Sequence, residues 1–267
     1  MRTISFLRKS GMKDQILKTL EYSQNIIISP DMDGFVTAQL LERFNDSKIV
    51  GTYDKNILCL ADGINPEECL FVDCDMNREE FVSIGNHMRL IDDGMSSKSF
   101  NPNVHFGVTT YSDKFPYATA FLISFATEVP TSDNDKIRMA YADSTLVNMQ
   151  KYSDNMRNWS TRMMHDAVSY ITDNSDIARD NDRQARFDYI QQSFTSKRYG
   201  KDRYIQTLNQ AMEDQKMAYL PLTEGFKYVC DKVGANTVMR YNRDIISYAE
   251  IFTGEYSVTY DQRIDWK

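Results

Sequence analysis

Long apolar runs are missing from this sequence. No segment approaches the roughly 18 consecutive apolar residues that a membrane-spanning helix needs. The N-terminal stretch MRTISFLRKSGMKDQ returns to charge too early for a signal peptide. The expectation is a cytoplasmic protein with no membrane partner. Cysteine is sparse: Cys59, Cys69, Cys74 and Cys230 are the only four, and none stands in a CxxC pair. That spacing excludes a thiolate zinc knuckle and suits a reducing compartment, where free cysteines act as small apolar residues. Positive charge is in deficit, with 31 Lys and Arg against 38 Asp and Glu, for a net charge of −7. A broadly basic coat for nonspecific nucleic-acid binding is excluded, although a local basic groove is not. Histidine occurs only at His87, His105 and His165. No Ser–His or Cys–His pairing suggests a nucleophilic triad, and no GxxxxGK[ST] loop is present.

What is there is an ordinary globular composition, 42% hydrophobic and 26% charged over 267 residues. That is enough chain for one large domain or two small ones. The first half alternates strand-like and helix-like segments. Met12–Tyr22 has helical spacing, with Ile16, Leu17 and Leu20 on one face. Asn25–Ser29 reads as a buried strand, and Phe35–Phe44 as a helix with Val36, Leu40, Leu41 and Phe44 inward. Ile49–Tyr53 and Glu68–Asp73 read as strands, Arg78–Ile84 as a helix, and Met88–Asp92 as a fourth strand. Ala118–Thr127 and Asp133–Met149 read as helices. This pattern predicts an α/β fold with a mostly parallel sheet and helices on both faces.

Residues 151–215 stay helical but polar and contain no proline, which suggests a helical connector. From 216 to 267 the pattern suggests a small C-terminal α/β domain, with strands around one helix at Glu224–Val233. The predicted organisation is therefore 1–150, 151–215 and 216–267.

Three of the predicted strands share one feature: they end on carboxylates. IIISPDMDGFV delivers Asp31 and Asp33, ECLFVDCD delivers Asp73 and Asp75, and MRLIDDG delivers Asp92 and Asp93. In open α/β sheets the ligand crevice lies beyond the carboxyl ends of the strands. The simple explanation for one such aspartate is a helix cap or a turn. Converging carboxylates without a cation are costly and raise one another's pKa. Carboxylate oxygens suit the hard cations Mg²⁺ and Mn²⁺, and the glycine of Asp-x-Asp-Gly permits a tight turn.

SPDMDGFVTAQLL, CLFVDCDMNREE, HMRLIDDG and MAYADSTLV resemble the four ordered motifs of the DHH phosphoesterase family, which includes RecJ-type exonucleases and oligoribonucleases. KFPYATAFLI is similar to the segment that follows the third motif. The resemblance spans about residues 25–147. It implies a two-ion Mn²⁺ or Mg²⁺ site, with Asp31 and Asp33 each holding one ion, Asp73 bridging the two and Asp143 completing the ligands of the second ion. Asp92-Asp93-Gly94 stands where the family has Asp-His-His, which makes Asp93 an oxygen ligand in place of a histidine. The implied catalytic set is Asp31, Asp33, Asp73, Asp92 and Asp93.

The implied activity is metal-dependent hydrolysis of phosphodiesters in short oligonucleotides or single-stranded nucleic-acid ends. Arg240, Arg263 and His105 are the candidate substrate contacts, while His87 is read as structural. A second reading stays open: a DHH-like protein without chemistry that binds nucleic acid, a nucleotide or a protein. SKRYGKDRY interleaves cations with rings, a pattern suited to single-stranded nucleic acid, or it is a solvated helical face.

Overall fold

The computed structural model describes residues 2–22, 24–54, 57–76, 79–88, 95–145, 148, 151–162, 194, 201–227, 229–231 and 255–257. Its centre is a six-stranded sheet of order β5-β4-β1-β2-β3-β6. The strands are β1 (Asn25–Ile28), β2 (Lys48–Tyr53), β3 (Ile57–Ala61), β4 (Leu70–Val72), β5 (Val82–Ile84) and β6 (Leu222–Lys227). β5, β4, β1 and β2 run parallel, and β3 and β6 continue the sheet antiparallel. β7 (Val229–Asp231) and β8 (Glu255–Ser257) form a separate antiparallel pair.

The described helices are α1 (Arg2–Leu20), α2 (Met32–Asn45), α3 (Pro102–His105), α4 (Thr119–Thr127), α5 (Asp133–Tyr141), α6 (Ser153–Arg162) and α7 (Lys201–Asp214). Side chains alternate across β1 and β4. Ile26, Ile28, Leu70 and Val72 join the large core with α1, α2 and α4, while Ile27 and Phe71 join a smaller cluster on the other face. Both faces of these strands are buried, as their near-continuous apolar sequences require. Helices on both faces were expected. Among the described residues, only the large core receives helix side chains.

Several expectations change. Arg78–Ile84 does not form one helix, because Val82–Ile84 is the edge strand β5. It pairs parallel with β4 through Leu70–Val82, Phe71–Ser83 and Val72–Ile84. Its β-branched ends suit a pleated, buried position. The expected strand Met88–Asp92 has no strand at Met88, and its remaining residues lie outside the described set. Glu224–Val233 is not a helix either. Its described residues lie in β6 and β7, where Gly225 and the aromatic and β-branched residues fit extended backbone better. β6 is the sheet's sixth strand, paired with β3, so the first part of 216–267 belongs to the main sheet. β3 itself, ILCLA, escaped the sequence reading. The helix expected over Asp133–Met149 is interrupted after Tyr141 by a 3-10 turn, Ala142–Ser144, beyond which the described residues Thr145 and Asn148 are helical again. Phe44 lies on the exposed side of α2 instead of in the core.

Candidate metal centre

The parallel strands set the position of the centre. From β1 the chain crosses through α2 to β2 on one side. It later returns to β4 on the other side of β1. The order reverses between β1 and β4, and such a switch point leaves a crevice beyond the carboxyl ends. Asp31 and Asp33 follow β1 there, and Asp73 follows β4.

The first motif is built by capping and close packing. Asp31 is the N-cap of α2, and its Oδ1 accepts from Gly34 N at 3.1 Å. Asp33 reaches across to α4, whose own N-cap residue, Ala118, makes no side-chain cap. Asp33 Oδ2 accepts from Thr119 N at 2.6 Å, and Oδ1 accepts from Ala120 N at 2.9 Å. Both carboxylates therefore perform the simple capping role, Asp33 on a helix distant in sequence. Gly34 is needed for proximity and not for a left-handed turn. A Cβ there would lie 2.0 Å from the Ser29 carbonyl oxygen.

Asp73 ends β4 in the left-handed region at φ 55°, and Asp143 lies in its 3-10 turn at φ 49°. Among the described residues, three other non-glycine residues share that region, and Asp46, Glu128 and Lys216 all follow helices. Left-handed aspartate is tolerated, but it is strained backbone of the kind that collects at functional sites. Asp73 is 2% exposed. Its Oδ1 accepts from Thr119 Oγ1 at 2.8 Å, and its Oδ2 lies 2.5 Å from Ser29 Oγ. Ser29 Oγ also lies 2.8 Å from Asp31 Oδ1.

One hydroxyl carries one proton and cannot donate to both carboxylates. The Ser29 hydroxyl therefore donates to one of the two carboxylates at a time, Asp73 or Asp31. Burial, and then the charges of Asp33, Asp31 and Asp143, hold Asp73 well above the ordinary aspartate range, against the lowering effect of the Ser29 hydrogen bond. Burial, with Asp143 and Asp31, likewise pushes Asp33 up to about 8, while the amides of Ala120 and Thr119 pull it down.

The third wall of the crevice comes from β5. Gly85, Asn86 and His87 follow its carboxyl end. Asp73, His87 and Asp143 each offer a ligand atom, and those atoms all lie within 4.8 Å of one another. Asn86 Nδ2 donates to Asp143 Oδ2 at 2.6 Å and to Tyr117 O at 2.8 Å, tying the turn of Asp143 to β5. His87, read from the sequence as structural, is thus brought beside Asp73 and Asp143 as a candidate ligand. It follows β5 instead of opening a later strand. The available signal was Phe81-Val82-Ser83-Ile84-Gly85, an apolar, β-branched run ending at glycine.

Two carboxylates with one imidazole form a donor set suited to a divalent first-row cation. No family model, curated protein or solved structure matches the chain.

The other candidates divide clearly. Asp92, Asp93, Arg240 and Arg263 lie outside the described residues, as does His165. His105 is half-buried beside Gln15, with Nδ1 3.1 Å from Gln15 Oε1, and stacks edge-on against Phe106. Those partners belong to α1 and the α3 turn, outside the carboxylate cluster. In the basic, aromatic stretch, the Tyr204 ring is fully buried in the large core, so it is no platform for a base. Its hydroxyl donates to Phe194 O at 3.2 Å, and Phe194 N donates to Pro30 O at 2.9 Å. Phe194 also packs edge-on against Phe35 at 6.2 Å. Residue 194 therefore buttresses the loop that carries Asp31. No described helix is long and apolar enough to cross a membrane.

Proposed function

We propose that this protein is a divalent-metal-dependent phosphodiesterase acting on short oligonucleotides or single-stranded nucleic-acid ends. The observation that carries the reading is the convergence of Asp73, His87 and Asp143 at the sheet's switch point. The two left-handed aspartates in that cluster support it further. So does the DHH-like order of the motifs. Gly85-Asn86-His87 follows β5 beside β4, which supports reading His87 as the histidine of the third motif.

Asp73, His87 and Asp143 would hold the cation, and the nitrogen donor favours Mn²⁺ over Mg²⁺. Asp31 is a candidate for a second ion, through the Ser29 bridge to Asp73. A bound divalent cation neutralises phosphoryl charge and makes water more acidic. The chain's own contributions follow from its contacts. Asp73 would bind the cation as the carboxylate, Asn86 orients Asp143, and Ser29 and Thr119 hold the Asp73 carboxyl through their hydroxyls.

The capping role of Asp33 favours a second reading, a binding module without chemistry, because that carboxylate is already occupied by α4. End-labelled DNA and RNA from the dinucleotide upward, incubated with Mn²⁺ or Mg²⁺, separate the two. Cleavage by the wild type that is lost in His87→Ala and Asp73→Asn supports the enzyme. Mn²⁺ binding and nucleic-acid binding without cleavage would leave the binding module.

A further inference from the structure

We infer that Asp75 is a positioning residue that fixes the tautomer of His87, so that Nδ1 carries the proton and Nε2 is the nitrogen offered to the cation. This rests on the proposed metal site and adds a residue that no motif assigns. Asp75 is 1% exposed. Its Oδ2 accepts the His87 backbone N–H at 3.0 Å and lies 3.0 Å from His87 Nδ1. Its Oδ1 accepts from Asn101 Nδ2 at 2.6 Å. A carboxylate in that place stabilises a proton on Nδ1 and opposes a lone pair there.

The rest of the loop is held as firmly. The His87 carbonyl accepts from Asn101 Nδ2 at 2.8 Å and Asn103 Nδ2 at 3.2 Å, and the Asn86 carbonyl accepts from Asn103 Nδ2 at 2.8 Å. Asn101 is itself locked as the N-cap of α3, and Asn103 Oδ1 accepts from Phe115 N at 2.6 Å. Gly85 completes the arrangement, because a Cβ there would meet Asp75 Oδ2 at 2.4 Å. The carboxylate occupies the space that any larger residue at 85 would fill. Metal-binding histidines are commonly oriented by a carboxylate on the other ring nitrogen, and loss of that partner typically costs 10–100-fold in metal affinity.

The test uses the full chain labelled with ¹⁵N-histidine, read by two-bond ¹⁵N–¹H spectra without metal at pH 8. His87→Gln assigns the His87 signals among the three histidines. The expected result is the neutral Nδ1–H form in the wild type. The Nε2–H form there would overturn the inference without any variant having to fold. Calorimetric Mn²⁺ titration of Asp75→Asn follows. The expected result is affinity lower by about 10–100-fold in a variant that still unfolds cooperatively. Unchanged affinity in a folded Asp75→Asn would also overturn it. Absence of Mn²⁺ binding by the wild type would sink the proposed metal site, and the tautomer would still decide the role of Asp75.

Discussion

The loop after β1 and the loop after β5 reverse their apparent importance between sequence and structure. The first carries Asp31-Met32-Asp33-Gly34, the most motif-like stretch in the chain. Both of its carboxylates are engaged as helix caps, and its glycine is required by a 2.0 Å approach to Ser29. The second, Gly85-Asn86-His87, carries no charge at all by motif, yet His87 joins Asp73 and Asp143 in the one three-residue cluster with metal-ligand spacing found among the described residues. A residue pattern reports which groups reach a strand end. Which of their oxygens and nitrogens remain for a ligand depends on the helices packed over that end.

That contrast is open to attack, and the most severe change is at Asp73. Asp73→Asn should lower Mn²⁺-dependent cleavage by more than about 100-fold, beyond the loss typical of an outer partner. It should also abolish the metal-dependent rise in melting temperature. Retained metal stabilisation in this variant would place the cation elsewhere.

Next comes the stability difference within the first motif. Asp33→Ala strips the acceptor from two buried amides, and each orphaned donor costs about 1–3 kcal/mol. Asp31→Ala loses an N-cap, worth about 1 kcal/mol. Urea unfolding of the metal-free protein should therefore rank Asp33→Ala well below Asp31→Ala. Equal losses would contradict the α4 capping role.

The pH dependence is a gentler probe of the same crevice. Asp33 keeps its proton in the folded state up to about 8, whereas its ordinary value is 3.8. Asp73 shifts in the same direction. Between those limits the folded state binds more protons than the unfolded chain, so stability is fully present below about pH 4 and falls as pH rises toward 8. Mn²⁺ competes with the proton on Asp73 and should bind more tightly, and restore more stability, at the upper end. Metal-free stability that rises steadily from pH 4 to 8 would show that these carboxylates are not held protonated.

The smallest effect is expected at His105. His105→Gln should cost less than about 1 kcal/mol, within the range of substitutions away from special features. It should leave Mn²⁺ affinity unchanged, since the described partners Gln15, Phe100 and Phe106 lie outside the cluster.

Legibility in the sequence followed length and periodicity. β1 and α2 were readable because Ile26-Ile27-Ile28 is an unbroken β-branched run and Val36, Leu40 and Leu41 recur at helical spacing. The convergence of Asp31 and Asp73 was readable because each follows such a strand directly. β5 was not, since three residues cannot show a period and the preceding Asn-Arg-Glu-Glu resembles a helix start. Its misreading hid the strand whose carboxyl end His87 follows. The α4 cap from Asp33 is a tertiary contact across 86 residues, and no local pattern encodes it. β6 was concealed because its partner, β3, had not been recognised.

The most direct test of the central claim is an anomalous difference map from crystals of the protein grown with Mn²⁺. The account predicts a peak about 2.0–2.4 Å from ligand atoms of Asp73, His87 and Asp143. A peak held by Asp31 and Asp33 with His87 turned away, or no peak in crystals that leave this crevice open, would contradict it.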